Sequence, residues 1–220
     1  MVDPEPISES ARISVAPIEG DTNLSIHYTV IENRINFDDI NDLSEEVQRA
    51  IGILASQGII SGVGGDSFAP DTTLTRAQLA QILTGMLGII DSDAVAGFED
   101  VSREQWFYPA VASVRRHGLM DGTADNTFSP NMIATREHVV SAVARALSAN
   151  MGYSIPANPE AYLQRFTDHD SLADWSRGDI ALAAEHNLDV RRADGRFSPH
   201  DPVTRGDVAV ILYRLYERLW

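Results

Sequence analysis

Three stretches of the chain place apolar residues close to the i, i+3, i+4, i+7 spacing of a helix with one buried face. Leu79, Ile82, Leu83 and Met86 form the first; Val139, Val140, Val143 and Leu147 the second; Val208, Ile211, Leu212 and Leu215 the third. A Thr-Arg pair precedes each: Thr75-Arg76, Thr135-Arg136 and Thr204-Arg205. The threonine reads as an N-cap, and Gln78 or Asp207 three residues on can complete a capping box. Upstream of each lies another helical stretch. Val47, Ile51 and Leu54 mark the first; Trp106, Ala110, Val111 and Val114 the second; Trp175, Ile180, Leu182 and Ala183 the third. These end at Gly58, Gly118 and Asn187, residues that tolerate the left-handed backbone of a helix C-cap.

The pattern therefore repeats, with Phe37-Asp38-Asp39-Ile40, Phe98-Glu99-Asp100-Val101 and Phe166-Thr167-Asp168-His169 opening three units at spacings of 61 and 68 residues. Phe68-Ala69-Pro70, Phe128-Ser129-Pro130 and Phe197-Ser198-Pro199 each begin ten residues past the cap, and the Thr-Arg arginine follows each proline by six. A constant gap in three copies predicts a loop of fixed path, its aromatic pinned in a core and its proline setting the entry to the next helix. The units are taken as 37–90, 98–150 and 166–220, and the linkers between them carry the length variation. The linker over 148–165 has room for a short extra helix at Tyr162-Leu163. Ahead of the repeats, residues 1–10 read as a polar lead or linker. Residues 11–36 read as a β-hairpin, from the alternation of Leu24, Ile26, Tyr28 and Val30 after the turn at Glu19-Gly20-Asp21. A lone hairpin is marginal in water, so it either packs on the repeats or ends an upstream β domain.

An arginine in the first helical turn has the wrong sign for its place, because the unpaired N–H groups there favour anions. Three such arginines predict a negative group held at each helix mouth, supplied either by the chain's own acids or by an external anion. Own acids are plentiful, since Asp and Glu number 32 and the net charge is -15. That balance argues against nucleic acid and against anionic membranes as bulk electrostatic partners. An anionic ligand has to be caught by a local site. All 17 basic side chains are arginine, which fits either an acidic, lysine-free surface or a preference for planar forks that match carboxylate and phosphate. Cysteine is absent, so disulfides, thiolate metal sites and thiol catalysis drop out. No stretch has the length of a membrane span, and Met1-Val2-Asp3-Pro4-Glu5 does not read as a signal peptide. The chain is thus either cytosolic or a segment of a longer secreted protein.

Catalysis and metal binding find little footing. None of the six histidines (His27, His117, His138, His169, His186, His200) stands in a zinc spacing. Acidic pairs such as Asp38-Asp39 and Glu45-Glu46 are explained by capping and solvation rather than glycoside hydrolysis. The loop Asp121-Gly122-Thr123-Ala124-Asp125-Asn126 lacks the glycine and glutamate of a calcium-binding EF-hand and reads as a tight turn.

Phe-x-Asp, a tryptophan, a capped helix, a glycine-bearing loop with Phe-x-Pro and then Thr-Arg, in that order three times over residues 37–218, resembles the S-layer homology family. The resemblance implies a mainly α fold of three helix–loop–helix repeats in a pseudo-threefold, spindle-like assembly. It implies no enzyme activity and no cofactor. The implied partner is a pyruvylated secondary cell-wall polysaccharide, bound in grooves between repeats so that an exported protein is held at the cell surface. Carried over residue by residue, it assigns Arg76, Arg136 and Arg205 to the ketal carboxylate. It assigns Asp39, Asp100 and Asp168 to sugar hydroxyls or to bracing the arginines, and Trp106 and Trp175 to stacking on a sugar ring. Gly62 and Gly122 fall where the backbone comes close to ligand.

Five departures stand out. Glu46 occupies the tryptophan position of repeat one. Asn187 and Arg191 replace the cap and loop glycines of repeat three. The acid closing the Thr-Arg motif is Gln78 in repeat one and His138 in repeat two. One or two competent grooves are therefore expected, those to which Trp106 or Trp175 contributes. The alternative is a structural module that assembles with other surface-layer subunits, its grooves vestigial and its charges paired internally. On the residues alone, Trp106 and Trp175 could equally be core, the usual place for a tryptophan.

Overall fold

The computed structural model describes residues 35–188, 192 and 194–220. The expected lead, nearly all of the expected hairpin, and Arg191 lie outside them. Among the described residues the regular elements are helical: α1 (Glu45–Ser56), α2 (Arg76–Leu87), α3 (Tyr108–Arg116), α4 (Arg136–Met151), α5 (Glu160–Leu163), α6 (Asp174–Glu185) and α7 (Arg205–Leu219). Each repeat is a pair of them, α1–α2, α3–α4 and α6–α7, while α5 is the single turn anticipated in the second linker.

Local chemistry sets the ends of these helices. Gly58, Gly118 and Asn187 take φ of 71°, 65° and 55°. The amide after each bonds back to the last helical turn: Ile59 to the Leu54 carbonyl at 2.9 Å, Leu119 to Val114 at 2.8 Å and Leu188 to Ala183 at 2.8 Å. At the other end, Thr75 and Thr204 accept from the amides of Gln78 and Asp207, whose side chains accept in turn from the threonine amides. His138 also closes such a box, with Nδ1 accepting from the Thr135 amide at 3.2 Å.

Between the paired helices the loop turns at Ala69, Ser129 and Ser198, which take positive φ of 57°, 58° and 58°. Side chains with a Cβ resist that conformation. A carboxylate from the start of the same repeat offsets the cost by accepting the turn's amides. Asp39 takes Phe68 and Ala69, Asp100 takes Phe128 and Ser129, and Asp168 takes Phe197 and Ser198, at 2.7–2.8 Å for the shortest contacts. The three loop phenylalanines are 0–1 % exposed. Each packs on the phenylalanine that opens its repeat, with ring centroids 5.4, 5.4 and 5.2 Å apart.

The repeats close on one another in a ring. Helix α3 packs on α2, α6 on α4, and α1 returns to pack on α7. Each first helix thus lies on the second helix of the repeat before it. Short bridges link Thr75 to Ile133, Thr135 to Pro202 and Thr73 to Thr204, joining the three segments that lead into α2, α4 and α7. One continuous apolar core fills the ring. The linkers are tied down as well: Arg116 pairs with Asp91 at 2.6 Å, and Arg177 meets both oxygens of Glu160 at 2.7 Å.

Candidate functional site

The three arginines sit at the joints of this ring. Arg76 of repeat one reaches into repeat two, with Nε donating to the Phe128 carbonyl at 2.9 Å and Nη2 to the Asp121 carbonyl at 2.5 Å. Arg136 of repeat two donates from Nε to the Phe197 carbonyl of repeat three at 2.7 Å. Arg205 of repeat three donates to the Phe68 and Ser61 carbonyls of repeat one at 2.8 and 2.5 Å. Each guanidinium also lies over the phenylalanine ring whose carbonyl it binds, 4.6, 5.4 and 4.5 Å from the centroid.

Carboxylates of the chain do not take the helix-mouth arginines Arg76 and Arg205 among the described residues. Their hydrogen bonds go to neutral backbone carbonyls, and among the described residues neither is ion-paired with an acid. The helix mouths themselves are closed. The first two amides of α2 go to the Met132 and Pro130 carbonyls, those of α4 to Asp201 and Pro199, and those of α7 to Thr72 and Pro70. An anion at these joints therefore has to meet the guanidinium and not a bare helix end. Arg76 is 3 % exposed, and burial pulls its pKa down to about 10 against the opposing pull of Asp121 and Asp100, so it stays charged at neutral pH. Burial lowers Arg205 too, with Asp39 opposing.

The aspartates brace the arginines through the backbone. Asp39 holds the Phe68 amide while Arg205 takes the same residue's carbonyl; Asp100 and Phe128 do this for Arg76, and Asp168 and Phe197 for Arg136. The Phe68 amide, with help from Ser67, holds Asp39 below the usual carboxylate range. For Asp168 burial works upward, but the amides of Phe197 and Ser198 outweigh it and the net shift is downward. Gly62 and Gly122 have an internal reason to be glycine. A Cβ on Gly62 would stand 2.7 Å from both the Phe37 ring and the Ser67 carbonyl oxygen, and one on Gly122 would stand 2.6 Å from the Thr127 carbonyl oxygen.

One joint opens into a cleft of about 480 Å³. Arg76 of repeat one forms one wall, the Leu119–Thr123 loop and α4 of repeat two the floor and sides, and Trp175 of repeat three the rim. Three repeats thus contribute to a single site. The Nη1 group of Arg76 has no hydrogen bond among the described residues. Trp175 is 49 % exposed and lies parallel to the His138 imidazole, centroids 5.7 Å apart. Burial first, then Arg76 and His200, push His138 down to about 4, which leaves it neutral at ordinary pH. Trp106 is 62 % exposed, standing edge-on to Phe107. Repeat correspondence gives it the place relative to α2 and Arg205 that Trp175 has relative to α4 and Arg76. At the third joint the matching residue is Glu46, and its carboxylate accepts from Arg214 at 2.8 Å.

A pseudo-threefold ring of capped helix pairs is the arrangement that the resemblance implied, its closure by the Thr-Arg arginines is what the structure adds, and the family's sequence pattern matches residues 36–80, 97–140 and 165–209. The chain belongs to the S-layer homology family. Similar stretches occur in an amylopullulanase of Thermoanaerobacterium thermosulfurigenes, 28 % identical over 87 % of this chain and 10 % of that protein. The exoglucanase XynX of Acetivibrio thermocellus is 28 % identical over 86 % of the chain and 17 % of its own length. A surface-layer 125 kDa protein of Lysinibacillus sphaericus is 26 % identical over 86 % of the chain and 16 % of its own length. The chain therefore spans a small part of each of these relatives. As an S-layer homology module it is a non-catalytic adaptor of the cell surface with a general cell-wall-anchoring role.

Three site features went unread in the sequence. His138 is a cap, a platform for Trp175 and a wall of the cleft. Arg145 lines the same cleft and joins Asp121 to Asp179. Met120 and Met132 add an apolar lining. A comparison of the three repeats position by position would have singled out Asp179, where repeats one and two place Ala50 and Ala110, whereas Arg145 shares its arginine with Arg214 of repeat three and differs only from Gly85 of repeat one.

Proposed function

We propose that this S-layer homology module anchors its protein by binding an acidic, pyruvylated secondary cell-wall polysaccharide in the clefts between repeats. The cleft formed by Arg76 and Trp175 is the principal site, and the groove of Arg205 and Trp106 is the second. The observation that carries the reading is Arg76 itself, a buried cation that among the described residues has no ion pair and leaves its Nη1 donors unused at the wall of an open cleft. A buried charge left with neutral partners is costly, and a ligand carboxylate offsets that cost. The exposed indole of Trp175 supplies a flat apolar face for a sugar ring, and Met120 and Met132 supply a pocket lining suited to a methyl group. Asp39, Asp100 and Asp168 act as braces rather than as ligand contacts in this reading, and Gly122 keeps the loop low at the cleft floor. Arg136 serves ring closure, because Glu46 and Arg214 stand where the third groove would need an aromatic face.

The assembly reading has one observation in its favour: all three arginines already tie neighbouring repeats together. A pull-down on purified cell-wall polymer, native and chemically depleted of pyruvate, separates the two. Anchoring predicts retention that needs the pyruvate and falls in Trp175→Ala, a change at an exposed side chain that leaves the melting temperature in place. Equal recovery on both polymers, or none on either, favours assembly.

A further inference from the structure

The cleft beside Trp175 differs from its counterparts in one costly feature. Asp179, on α6, is 9 % exposed, and burial raises its pKa against the pull of Arg145. Its Oδ2 accepts from Arg145 Nε at 2.8 Å, while Arg145 Nη1 donates to Asp121 Oδ2 at 2.7 Å. The positions matching Asp179 hold Ala50 and Ala110, both fully buried. Those matching Arg145 hold Gly85 and Arg214. A buried ion pair rarely gains stability over apolar packing, and alanine does the packing twice in this same ring. The consequence of the pair is found one residue further on. It holds a guanidinium that pins the Asp121 carboxylate, 73 % exposed, at the cleft wall. The same residue's carbonyl binds Arg76 Nη2. One residue therefore ties a fixed acceptor to the buried cation.

Donor and acceptor fixed beside an aromatic face suit a sugar that carries one acid group and a free hydroxyl near it. Arg76 donates to the acid, Asp121 accepts from the hydroxyl, and the ring lies on Trp175. We propose that Asp121 is a specificity-determining residue of this cleft, with Arg145 and Asp179 as positioning residues that aim it. The cleft then selects a singly acidic sugar with an uncapped neighbouring hydroxyl and rejects one that is esterified or carries a second charge there. The groove of Arg205, with Ser61 at the matching position, lacks this selection. The inference rests on the glycan reading above.

The test is isothermal titration of the chain carrying Trp106→Ala, which weakens the second groove. The probes are a synthetic monosaccharide with one pyruvate ketal and its derivatives singly O-methylated at each free hydroxyl. One derivative is expected to bind about tenfold or more weakly than the parent sugar, the scale of a lost hydrogen bond to a charged group. Adding Asp121→Ser should lower affinity for the parent sugar by a similar factor and abolish the discrimination. Asp179→Ala should lower the melting temperature, because it strands Arg145, and in the protein that stays folded it should blunt the discrimination between the parent sugar and its derivatives, which a merely structural residue would not do. Asp121→Ser with affinity and discrimination intact overturns the inference while leaving the glycan reading standing. No binding of the parent sugar overturns both.

Discussion

The joint at Arg76 and the joint at Arg136 are built from the same motif and end in different places. In both, the arginine at the first position of a helix crosses to the next repeat and donates to the carbonyl of a buried phenylalanine. In both, an aspartate holds that phenylalanine's amide. At Arg76 the far side of the joint opens into a cleft rimmed by an exposed tryptophan. At Arg136 the tryptophan position carries Glu46, paired with Arg214. The inner, backbone-directed half of the motif is thus common to the ring, while the outer half varies from joint to joint. Closing the ring and binding a ligand are separable jobs of one arginine.

The sharpest way to break that comparison is Arg136→Ala. The side chain is 1 % exposed, and its loss strands a buried carbonyl and leaves a void, so unfolding should cost about 3 kcal/mol less. For a domain of this size that is a fall of roughly 10 °C in melting temperature by calorimetry. Polymer retention by the protein that remains folded should be unchanged. A stable variant that no longer binds would show that the roles have been assigned to the wrong joints. Next in size, Gly122→Ala forces a Cβ to within 2.6 Å of the Thr127 carbonyl oxygen and should destabilise by about 1–3 kcal/mol in urea titration. If stability holds and only binding falls, the glycine is there for the ligand.

A third effect depends on pH. His138 has a folded pKa of about 4, below its ordinary 6.5, so the unfolded chain takes up the proton first. The stability it contributes is complete above pH 6.5 and declines as pH falls from there toward 4. The depressed carboxyls of Asp39 and Asp168 act in the same direction at lower pH, below the usual 3.8. Urea midpoints between pH 7 and pH 4.5 should therefore drop, and His138→Gln, which can keep the capping box as Gln78 does, should flatten that slope. The smallest effect is expected at Glu46. Its pair with Arg214 is largely solvent-accessible, so Glu46→Gln should change stability by less than about 1 kcal/mol and leave polymer retention as it was.

The repeats, their caps and the buried loop phenylalanines were legible in the sequence because their signals are local. Left-handed C-caps announced themselves as Gly58, Gly118 and Asn187, and the capping boxes as Thr75 with Gln78 and Thr204 with Asp207. What stayed hidden is non-local. The arginines were read as holding a negative group, the chain's own or an external one, at their own helix ends, but those ends are filled by carbonyls of the following repeat, a consequence of cyclic closure that no spacing within one repeat encodes. The left-handed turns at Ala69, Ser129 and Ser198 carry no residue-type signal at all. They exist because a distant aspartate in each repeat collects the turn's amides. His138 stood out only as a departure from an acidic position, and its neutral, half-buried state follows from neighbours that only the fold brings near.

The central claim is that the Arg76 cleft holds an acidic sugar and the Arg136 joint does not. Isothermal titration of the chain with a synthetic pyruvylated monosaccharide tests it most directly. The account predicts no more than two sites, a larger loss of affinity from Trp175→Ala than from Trp106→Ala, and no heat from the same sugar without its ketal. Three equivalent sites, or binding indifferent to Trp175 and to the ketal, would contradict it.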